Sequence, residues 1–307
     1  MASKLGQHFL VNKNKIKKIV EALDLKDGET VLEIGPGHGE LTEAVIKKLG
    51  NLVIKNFKII AIEKDEKLAD DLEFRIRNLE PRDQIEVIRG DALKILPKLI
   101  TQLLNYPITS YKIVGNIPYY ITGHLFRVIG EMDFKPSLIV LTIQKEVAER
   151  ICAFQQTRGK PKMTRSMGSG SSRANRGMNL LAASVQFWAE PQIIGYISKK
   201  DFRPQPKVDS AIIKLVIKQL SNYEITQLPN YYRFIKILFK QPRKTILNNL
   251  LATSDKEPET KNQRQEKREE VVKKLKKAGV KSSDRPQNLD LGKLIKLVNI
   301  FYPFKQK

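Results

Sequence analysis

Apolar runs alternate with amphipathic stretches along the first half of the chain. The strand-like runs lie at residues 29–35, 57–65, 84–93, 111–118 and 136–144. Between the first three lie residues 40–50 and 66–79, where apolar residues recur at helical spacing. Strands that alternate with helices are typical of a mainly parallel sheet with helices on both faces. We therefore predict an α/β, Rossmann-like fold whose ligands bind at the carboxyl ends of the strands.

The pattern changes beyond residue 150. Residues 151–189 contain no acidic residue, and the stretch at about 155–178 is rich in Gly, Ser, Arg and Lys. That composition is typical of a flexible basic insertion, either a solvated loop or a loop that contacts RNA. Strand-like patterns resume at 182–197 and 210–218 and predict an added antiparallel pair. From residue 221 onward the pattern is helical, which predicts a catalytic domain at 1–220 and a small helical domain at 221–307.

Net charge narrows the class of partner. The 55 basic and 33 acidic residues give a net charge of +22, whereas about 2–8 is enough to keep a small domain in solution. Residues 219–307 alone carry 20 basic and 9 acidic residues. This excess predicts binding to a polyanion, and nucleic acid fits it better than a membrane surface.

Cysteine content and hydropathy indicate the compartment. The single cysteine, Cys152, excludes an internal disulfide and fits a reducing environment. The N-terminus has no apolar core of a signal peptide, and no apolar run reaches the ~18 residues of a membrane span. We therefore expect a soluble cytoplasmic protein without membrane association. His38 and His124 lack partners at metal-ligand spacing, so we assign no metal site.

A glycine loop follows the first strand of the predicted sheet. Gly35, Gly37 and Gly39 stand at alternate positions between that strand and the next helix. Glycines at such a junction let the chain turn tightly and let a ligand approach the backbone. Dinucleotide and S-adenosylmethionine sites share this feature, but the spacing is not G-x-G-x-x-G. Glu33, just before the loop, suits an ammonium or sulfonium better than a pyrophosphate.

Two further carboxylates close the next strands. Glu63 ends the second strand, where a carboxylate can accept from both hydroxyls of a ribose. Asp91 ends the third strand and can accept from the amino group of an adenine. Acidic residues at three successive strand ends favour a nucleoside cofactor over ordinary surface carboxylates.

Motifs along nearly the whole chain resemble the ribosomal RNA adenine dimethyltransferase family, and within it the small-subunit type. The segments that carry the resemblance are LGQHFL, VLEIGPGHGELT, AIEKD, GDAL, GNIPYYIT, LTIQKEVAERI, DFRPQPKVDSAIIKL and FKQPRKTILNNL. The resemblance implies an S-adenosylmethionine-dependent methyltransferase domain and a small helical C-terminal domain. It also implies N6,N6-dimethylation of two adjacent adenosines in a hairpin near the 3′ end of small-subunit rRNA, during small ribosomal subunit biogenesis.

The resemblance also implies cofactor contacts. The N-terminal segment that covers the cofactor in the family matches Gln7, His8 and Leu10. The other implied cofactor contacts are Gly35, Gly37, Glu63, Asp91 and Asn116. His8 stands where the family usually has Asn, and Met178-Asn179 stands where it has a Tyr-Gly pair.

The GNIPYY turn predicts how a target adenine is held. The side-chain oxygen of Asn116 and a main-chain carbonyl near Ile117 can accept both N6 hydrogens, while Pro118 shapes the bend. Tyr119 would stack on an unstacked base, with Phe202 as the second plate of a sandwich. For Tyr120 the sequence leaves core packing open.

The basic residues Lys207, Arg243 and Lys244 are candidate phosphate contacts. We expect a monomer that binds small-subunit rRNA within the small ribosomal subunit. Three alternatives remain from the sequence: a large-subunit rRNA methyltransferase of the antibiotic-resistance type, a non-catalytic nucleic-acid-binding assembly factor, and a nicotinamide dehydrogenase. The last is suggested by the glycine loop alone.

Overall fold

The computed structural model describes residues 6–52, 54, 56–77, 82–103, 110–153, 177–252 and 260–303, without the side chains of residues 82, 222 and 223. Residues 155–176 of the predicted basic insertion lie outside these ranges. Internal contacts divide the chain into two units, 1–149 with 189–218 and 150–188 with 219–307. The second boundary lies two residues from the predicted one. The described residues 150–153 and 177–188, which we predicted in the first domain, group with the C-terminal helices.

The strands of the described ranges all lie in the first unit. They are β1 (Phe9–Leu10), β2 (Glu29–Ile34), β3 (Phe57–Glu63), β4 (Ile85–Arg89), β5 (Tyr111–Asn116), β6 (Leu138–Gln144), β7 (Ala189–Ile197), β8 (Phe202–Arg203) and β9 (Ser210–Ile217). The helices between them are α1 (Lys13–Ala22), α2 (Glu40–Asn51), α3 (Glu66–Ile76), α4 (Ala92–Leu103), α5 (Thr122–Glu131) and α6 (Lys145–Ile151).

The main sheet has a reversal of strand order at its centre. Within the described ranges its seven strands follow the order β4-β3-β2-β5-β6-β9-β7, and β1 pairs separately with β8. The five neighbouring strands β4, β3, β2, β5 and β6 are mutually parallel, whereas β9 runs antiparallel to both β6 and β7. The chain leaves β2 toward β3 on one side and later returns as β5 on the other. Ligands of such sheets bind at this point of reversal.

Burial explains why the central strands are continuously apolar. The buried residues include Val31, Leu32, Ile59, Ile60 and Ile113, each at most 1% exposed. Strands of a parallel sheet covered on both faces must be apolar on both faces. The predicted α/β fold and the antiparallel pair of β7 and β9 are confirmed.

The second unit is helical. Its helices are α7 (Leu180–Trp188), α8 (Asn222–Leu238), α9 (Ile246–Leu251), α10 (Lys261–Ala278) and α11 (Leu291–Phe301). Tyr231 is 1% exposed, donates to the carbonyl of Ala183 at 2.9 Å, and its ring centroid lies 4.3 Å from that of Phe187. Strand structure predicted for residues 182–188 is wrong, because a helix buried nearly all round shows no periodicity that separates it from a strand. No helix of the described ranges is long and apolar enough to cross a bilayer.

Candidate active site

A cleft opens at the carboxyl ends of β2 and β5. Because Glu33 of β2 pairs in register with Val114 of β5, the loops that follow these two strands emerge at the same edge. Most of the predicted cofactor and catalytic residues line this cleft, together with Glu33 and Ile117: Gln7, His8, Leu10, Gly35, Gly37, Glu63, Asn116, Pro118 and Tyr119. Asp91 and Phe202, which we predicted here too, do not line it.

The glycine loop lies directly against the N-terminal segment. Gly35 and Gly37 have φ values of 68° and 58°, a region that favours glycine. A Cβ atom built on Gly37 would lie 2.7 Å from the ring of Phe9. Gly37 therefore meets two requirements, a left-handed backbone and the absence of a side chain beneath Phe9.

Glu63 organises the loop from the end of β3. Its side chain is buried, and its two oxygens accept the backbone N–H groups of Gly37 and Asp65 at 3.0 and 2.9 Å. Each carboxylate oxygen can accept more than one hydrogen bond. Glu63 therefore holds the loop in place and can still accept from a ligand hydroxyl.

Glu33 is the most perturbed carboxyl group of the cleft. It is 1% exposed, one oxygen accepts from the Thr42 hydroxyl at 2.7 Å, and the other has no hydrogen-bond partner among the described residues. Burial raises the pKa of Glu33 to about 7; the Thr42 hydrogen bond opposes that rise, and the charges of Glu63 and Glu40 add to it. A buried, unpartnered carboxyl oxygen beside a cleft is suited to a cationic or hydrogen-bond-donating ligand group.

Asp91 already has partners outside the cleft. Its carboxylate accepts the N–H of Leu93 at 3.0 Å and pairs with the Lys64 ammonium at 2.9 Å. Burial alone would raise the pKa of Asp91, but the hydrogen bonds from Lys64 and Leu93 outweigh it and lower the pKa below its ordinary value. The Lys64 ammonium therefore lies against the Asp91 carboxylate, which we predicted to accept from the amino group of an adenine.

The N-terminal segment, residues 6–12, forms a strap beside the cleft. Its strand β1 pairs antiparallel with β8, which places Leu10 opposite Phe202. Nδ1 of His8 donates to the carbonyl of Pro204 at 2.8 Å, and Nδ2 of Asn12 donates to Asp201 at the same distance. The strap is therefore tied to the loop that precedes β9.

Asn116 has a defined amide orientation. Its Nδ2 donates to the main-chain carbonyl of His8 at 2.7 Å. Among the described residues none donates to its Oδ1, so this oxygen remains an acceptor at the edge of the cleft. The strap thus orients the side chain that we predicted to hold the target amine.

Tyr119 lies in a short 3-10 turn, residues 119–121, immediately after Pro118. Its half-buried ring lines the cleft with its centroid 5.9 Å from that of the His8 ring, and its hydroxyl lies 2.7 Å from the hydroxyl of Ser210. Burial raises the pKa of Tyr119, the Ser210 hydrogen bond lowers it, and the Asp209 charge raises it. The phenol therefore stays protonated, and the ring is available as an apolar face.

Two aromatic residues differ from expectation. Phe202 is fully buried and packs in the hydrophobic core with residues such as Ile19, because its pairing with Leu10 turns both side chains inward. The prediction that Phe202 forms the second stacking plate is therefore wrong for this arrangement. Tyr120 is 63% exposed, which excludes the core packing that the sequence left open for this residue.

The predicted phosphate contacts are all exposed. Lys207 lies in the first unit, on the loop between β8 and β9. Arg243 and Lys244 lie in the second unit, just before Thr245 caps α9. Their exposure is compatible with binding to a polyanion.

Comparison with known proteins places this arrangement in a family. A profile described as ribosomal RNA adenine dimethylase matches residues 1–284. The chain belongs to the ribosomal RNA adenine dimethylase family.

Relatives and a solved structure extend the similarity within the ribosomal RNA adenine dimethylase family. The ribosomal RNA small subunit methyltransferase A of Dehalococcoides mccartyi is 36% identical over 246 residues, 80% of this chain and 73% of the relative. The protein of the same name from Mycoplasma capricolum is 31% identical over 299 residues, 97% of this chain and 96% of the relative. The crystal structure of a dimethyladenosine transferase from Plasmodium falciparum has a TM-score of 0.67 at 25% identity, covering 94% of this chain and 96% of that one.

Three contacts of this family member were not predicted from its sequence. They are the Thr42 hydrogen bond to Glu33, the Lys64 pair with Asp91 and the Ser210 contact with Tyr119. The carboxylates and the tyrosine were visible as candidates because they end strands or begin turns. Their partners are ordinary polar residues in a helix, in a strand and in the loop after β3, and only the packed fold brings them within reach.

Proposed function

We propose that this protein is an S-adenosylmethionine-dependent rRNA adenine dimethyltransferase that transfers methyl groups to N6 of adenosines in small-subunit rRNA. The observation that supports this best is the Oδ1 of Asn116, to which none of the described residues donates, in a cleft lined also by Tyr119, Glu33 and Glu63. An acceptor next to an aromatic face suits the amino edge and the ring of an adenine.

The residues of the cleft fit the cofactor. The unpartnered oxygen of Glu33 suits the cofactor's ammonium group, and Glu63 can accept from ribose hydroxyls. Asp91 can accept from the adenine amino group once Lys64 moves aside. When bound, S-adenosylmethionine supplies an electrophilic methyl group on a sulfonium.

The clamp at Asn116 addresses the weak nucleophilicity of the target. The N6 lone pair of adenine is delocalised into the ring, and it becomes available only as the nitrogen pyramidalises. Oδ1 of Asn116 and the carbonyl of Ile117, which also lines the cleft, would accept the two N6 hydrogens and favour that geometry over the planar one. Held in this way, N6 would attack the methyl group, the electron pair of the carbon–sulfur bond would go to the sulfur, and N6 would release a proton to water.

Tyr119 would hold the base by stacking. A base must leave its stack to reach such a cleft, and stacking on an aromatic ring recovers about 1–3 kcal/mol per base. Holding both reactants in line can contribute up to roughly 7–11 kcal/mol in favourable intramolecular cases. Alignment can therefore contribute strongly to catalysis, and no strong general base is required.

We also propose the position of the substrate in the rRNA, the residues that contact phosphate and the oligomeric state. The substrate is the hairpin near the 3′ end of small-subunit rRNA, and two adjacent adenosines in it are dimethylated during small-subunit biogenesis. Lys207 acts in the catalytic unit, 1–149 with 189–218, and Arg243 and Lys244 act in the helical, rRNA-binding unit, each on phosphate groups. The enzyme acts as a monomer, which light scattering after size-exclusion chromatography checks.

The deciding experiment is methyl transfer from labelled S-adenosylmethionine to undermethylated small subunits, large subunits and naked rRNA, followed by mapping of the modified bases. Label on adjacent adenosines of small-subunit rRNA is the expected result. Label confined to large-subunit rRNA would support the antibiotic-resistance type. RNA binding without transfer would support a non-catalytic assembly factor, and tighter binding of NAD than of S-adenosylmethionine would support a dehydrogenase.

Substitution of Gly37 is expected to weaken cofactor binding. In Gly37→Ala the new Cβ meets the Phe9 ring at 2.7 Å and the backbone keeps a positive φ. We expect the Kd for S-adenosylmethionine to rise at least about tenfold, because displacing Phe9 moves the strap. Gly28→Ala is the matched control, since Gly28 has φ 78° and open space around its Cβ position.

Both variants are expected to lose about 1–2 kcal/mol of unfolding free energy from the left-handed backbone. Isothermal titration and chemical unfolding measure the two effects separately. An unchanged Kd in Gly37→Ala would contradict the role given to the contact between Phe9 and the loop.

Removing the Lys64 ammonium is expected to tighten cofactor binding. Lys64→Met keeps most of the aliphatic stem and frees Asp91 for the adenine amino group. The pair is partly exposed and therefore weak, so we expect the Kd to fall by only about twofold to fivefold. Lys58→Met, which breaks a half-exposed pair with Glu86 on the same sheet, is the control. Weaker binding in Lys64→Met would mean that the ammonium contacts the cofactor.

A further inference from the structure

Ser210 lies at the first position of β9 and is fully buried. Its hydroxyl lies 2.7 Å from the hydroxyl of Tyr119. Its backbone is held on both sides, because it pairs in register with Gln144 of β6 and with Ile197 of β7. The preceding residue, Asp209, adds to this by accepting the N–H of Lys145 at 3.0 Å. The Ser210 hydroxyl is therefore a buried group on a backbone that is held in place on both sides.

Tyr119 needs a partner that is held in this way. It belongs to a short turn rather than to a strand, and its ring is half exposed at the cleft. A tyrosine ring held only at its backbone can swing about the Cα–Cβ bond. A hydrogen bond at the hydroxyl stops that swing and, because phenolic hydrogen bonds prefer the plane of the ring, also favours one ring plane. The hydroxyl is the far end of the Tyr119 ring, and Ser210 is its partner.

The register of the sheet connects this anchor to Asn116. Asn116 of β5 pairs with Thr142 of β6, and Gln144, two residues further along β6, pairs with Ser210. The acceptor for the target amine and the anchor of the aromatic ring are thus both paired with β6, at positions two residues apart. The hydrogen bond of Asn116 to the His8 carbonyl orients the amide, and the hydrogen bond between Tyr119 and Ser210 orients the ring relative to it.

We propose that Ser210 is a positioning residue for methyl transfer, which fixes the plane of the Tyr119 ring so that a stacked adenine presents N6 to Asn116. This inference rests on the proposed function and adds a residue that does not itself touch the substrate. A merely structural hydroxyl would affect folding and leave the alignment of the base unchanged.

The test is a double-substitution cycle. Ser210→Ala and Tyr119→Phe remove the same hydrogen bond from opposite sides. Each is expected to lower kcat on small-subunit rRNA by about tenfold, and the double variant is expected to be no slower than either single one. The Kd for S-adenosylmethionine stays within about twofold of the unmodified protein's, because neither hydroxyl contacts the groups that hold the cofactor.

Thr142→Val is the matched control, since it removes a fully buried hydroxyl that has no hydrogen-bond partner among the described residues, on the neighbouring strand. Its kcat is expected to match that of the unmodified protein.

A second readout is the fluorescence of 2-aminopurine placed at the target position of the rRNA, which stacking on Tyr119 quenches. Ser210→Ala is expected to lose part of that quenching, as is Tyr119→Phe.

The outcomes distinguish a failure of the proposed methyltransferase activity from a failure of the role given to Ser210. An unmodified protein that transfers no methyl group to small-subunit rRNA overturns the proposed function. An active protein whose Ser210→Ala and Tyr119→Phe variants retain full kcat and full quenching overturns only the role of Ser210. Additive losses in the double variant also overturn it. If Ser210→Ala does not fold, Tyr119→Phe tests the same hydrogen bond from the half-exposed side.

Discussion

Replacing Asn116 by alanine is expected to lower kcat for methyl transfer by roughly 10²–10³-fold, the loss typical of removing one preorganised polar group from a transition state. The variant lacks the Oδ1 acceptor for an N6 hydrogen. It also lacks the Nδ2 bond to the His8 carbonyl. Single-turnover kinetics with saturating cofactor on undermethylated small subunits measure the effect on chemistry alone.

Asn116→Asp separates the two functions of the amide. It keeps an oxygen acceptor at the cleft but replaces the donor to His8 with a second oxygen, so its kcat is expected to lie between those of Asn116→Ala and the unmodified protein. Titration with S-adenosylmethionine reports how much of each loss comes from the strap. An Asn116→Ala variant with undiminished kcat would exclude the proposed clamp.

The stability of the ligand-free protein is expected to depend on Glu33 between pH 4.5 and 7. The pKa of Glu33 is about 7 in the folded protein, against an ordinary value of 4.5. In that interval the folded state holds a proton that the unfolded state has released. Protonation of Glu33 therefore makes its full contribution to the free energy of unfolding below pH 4.5, and this contribution is lost as pH rises to 7. One pKa unit corresponds to about 1.4 kcal/mol, which gives a total of about 3 kcal/mol.

Glu33→Gln removes this dependence, because an amide does not titrate in this range. The difference in unfolding free energy between Glu33→Gln and the unmodified protein is expected to shift by about 3 kcal/mol in favour of the variant from pH 4.5 to 7. Urea unfolding across this range measures the shift. Glu86→Gln, which removes a half-exposed carboxylate from β4, controls for the loss of one acidic side chain. Parallel curves for Glu33→Gln and the unmodified protein would contradict the assignment.

Cofactor binding is expected to show the complementary dependence. The carboxylate form of Glu33 attracts the cofactor ammonium, so the Kd for S-adenosylmethionine should fall as pH rises from 6 to 8. The Glu33→Gln variant should bind more weakly and lose this part of the pH dependence. Titrations at several pH values at constant ionic strength test both statements.

Sequence patterns located the residues at the strand ends that line the cleft. Glu33, Glu63 and Asn116 each follow or end an apolar strand, and parallel strands bring their carboxyl ends to one edge whatever the side-chain packing. The same local logic located the glycine loop, because alternate glycines between a strand and a helix leave few other conformations. These features depend on short stretches of chain, and short stretches were enough to find them.

Residues whose role depends on distant partners were harder to predict. Phe202 stands in a polar, proline-rich stretch that suggested exposure, yet pairing of its strand with the strap buries it against Leu10. Residues 182–188 form a helix that packs nearly all round, so their apolar pattern did not separate helix from strand. Asp91 ends a strand as expected, but Lys64 occupies it in an ion pair.

By itself, the sequence determined the α/β class, the edge of the sheet where the cleft opens and the residue types that line it, because periodicity and strand-end residues are local properties of the chain. Only the tertiary structure decided which of those residues face the cleft. Burial of Phe202, the orientation of the Asn116 amide by His8 and the contact of Ser210 with Tyr119 each join residues more than 90 positions apart. Such contacts follow from the pairing register and packing of the whole fold, which no short stretch of sequence specifies.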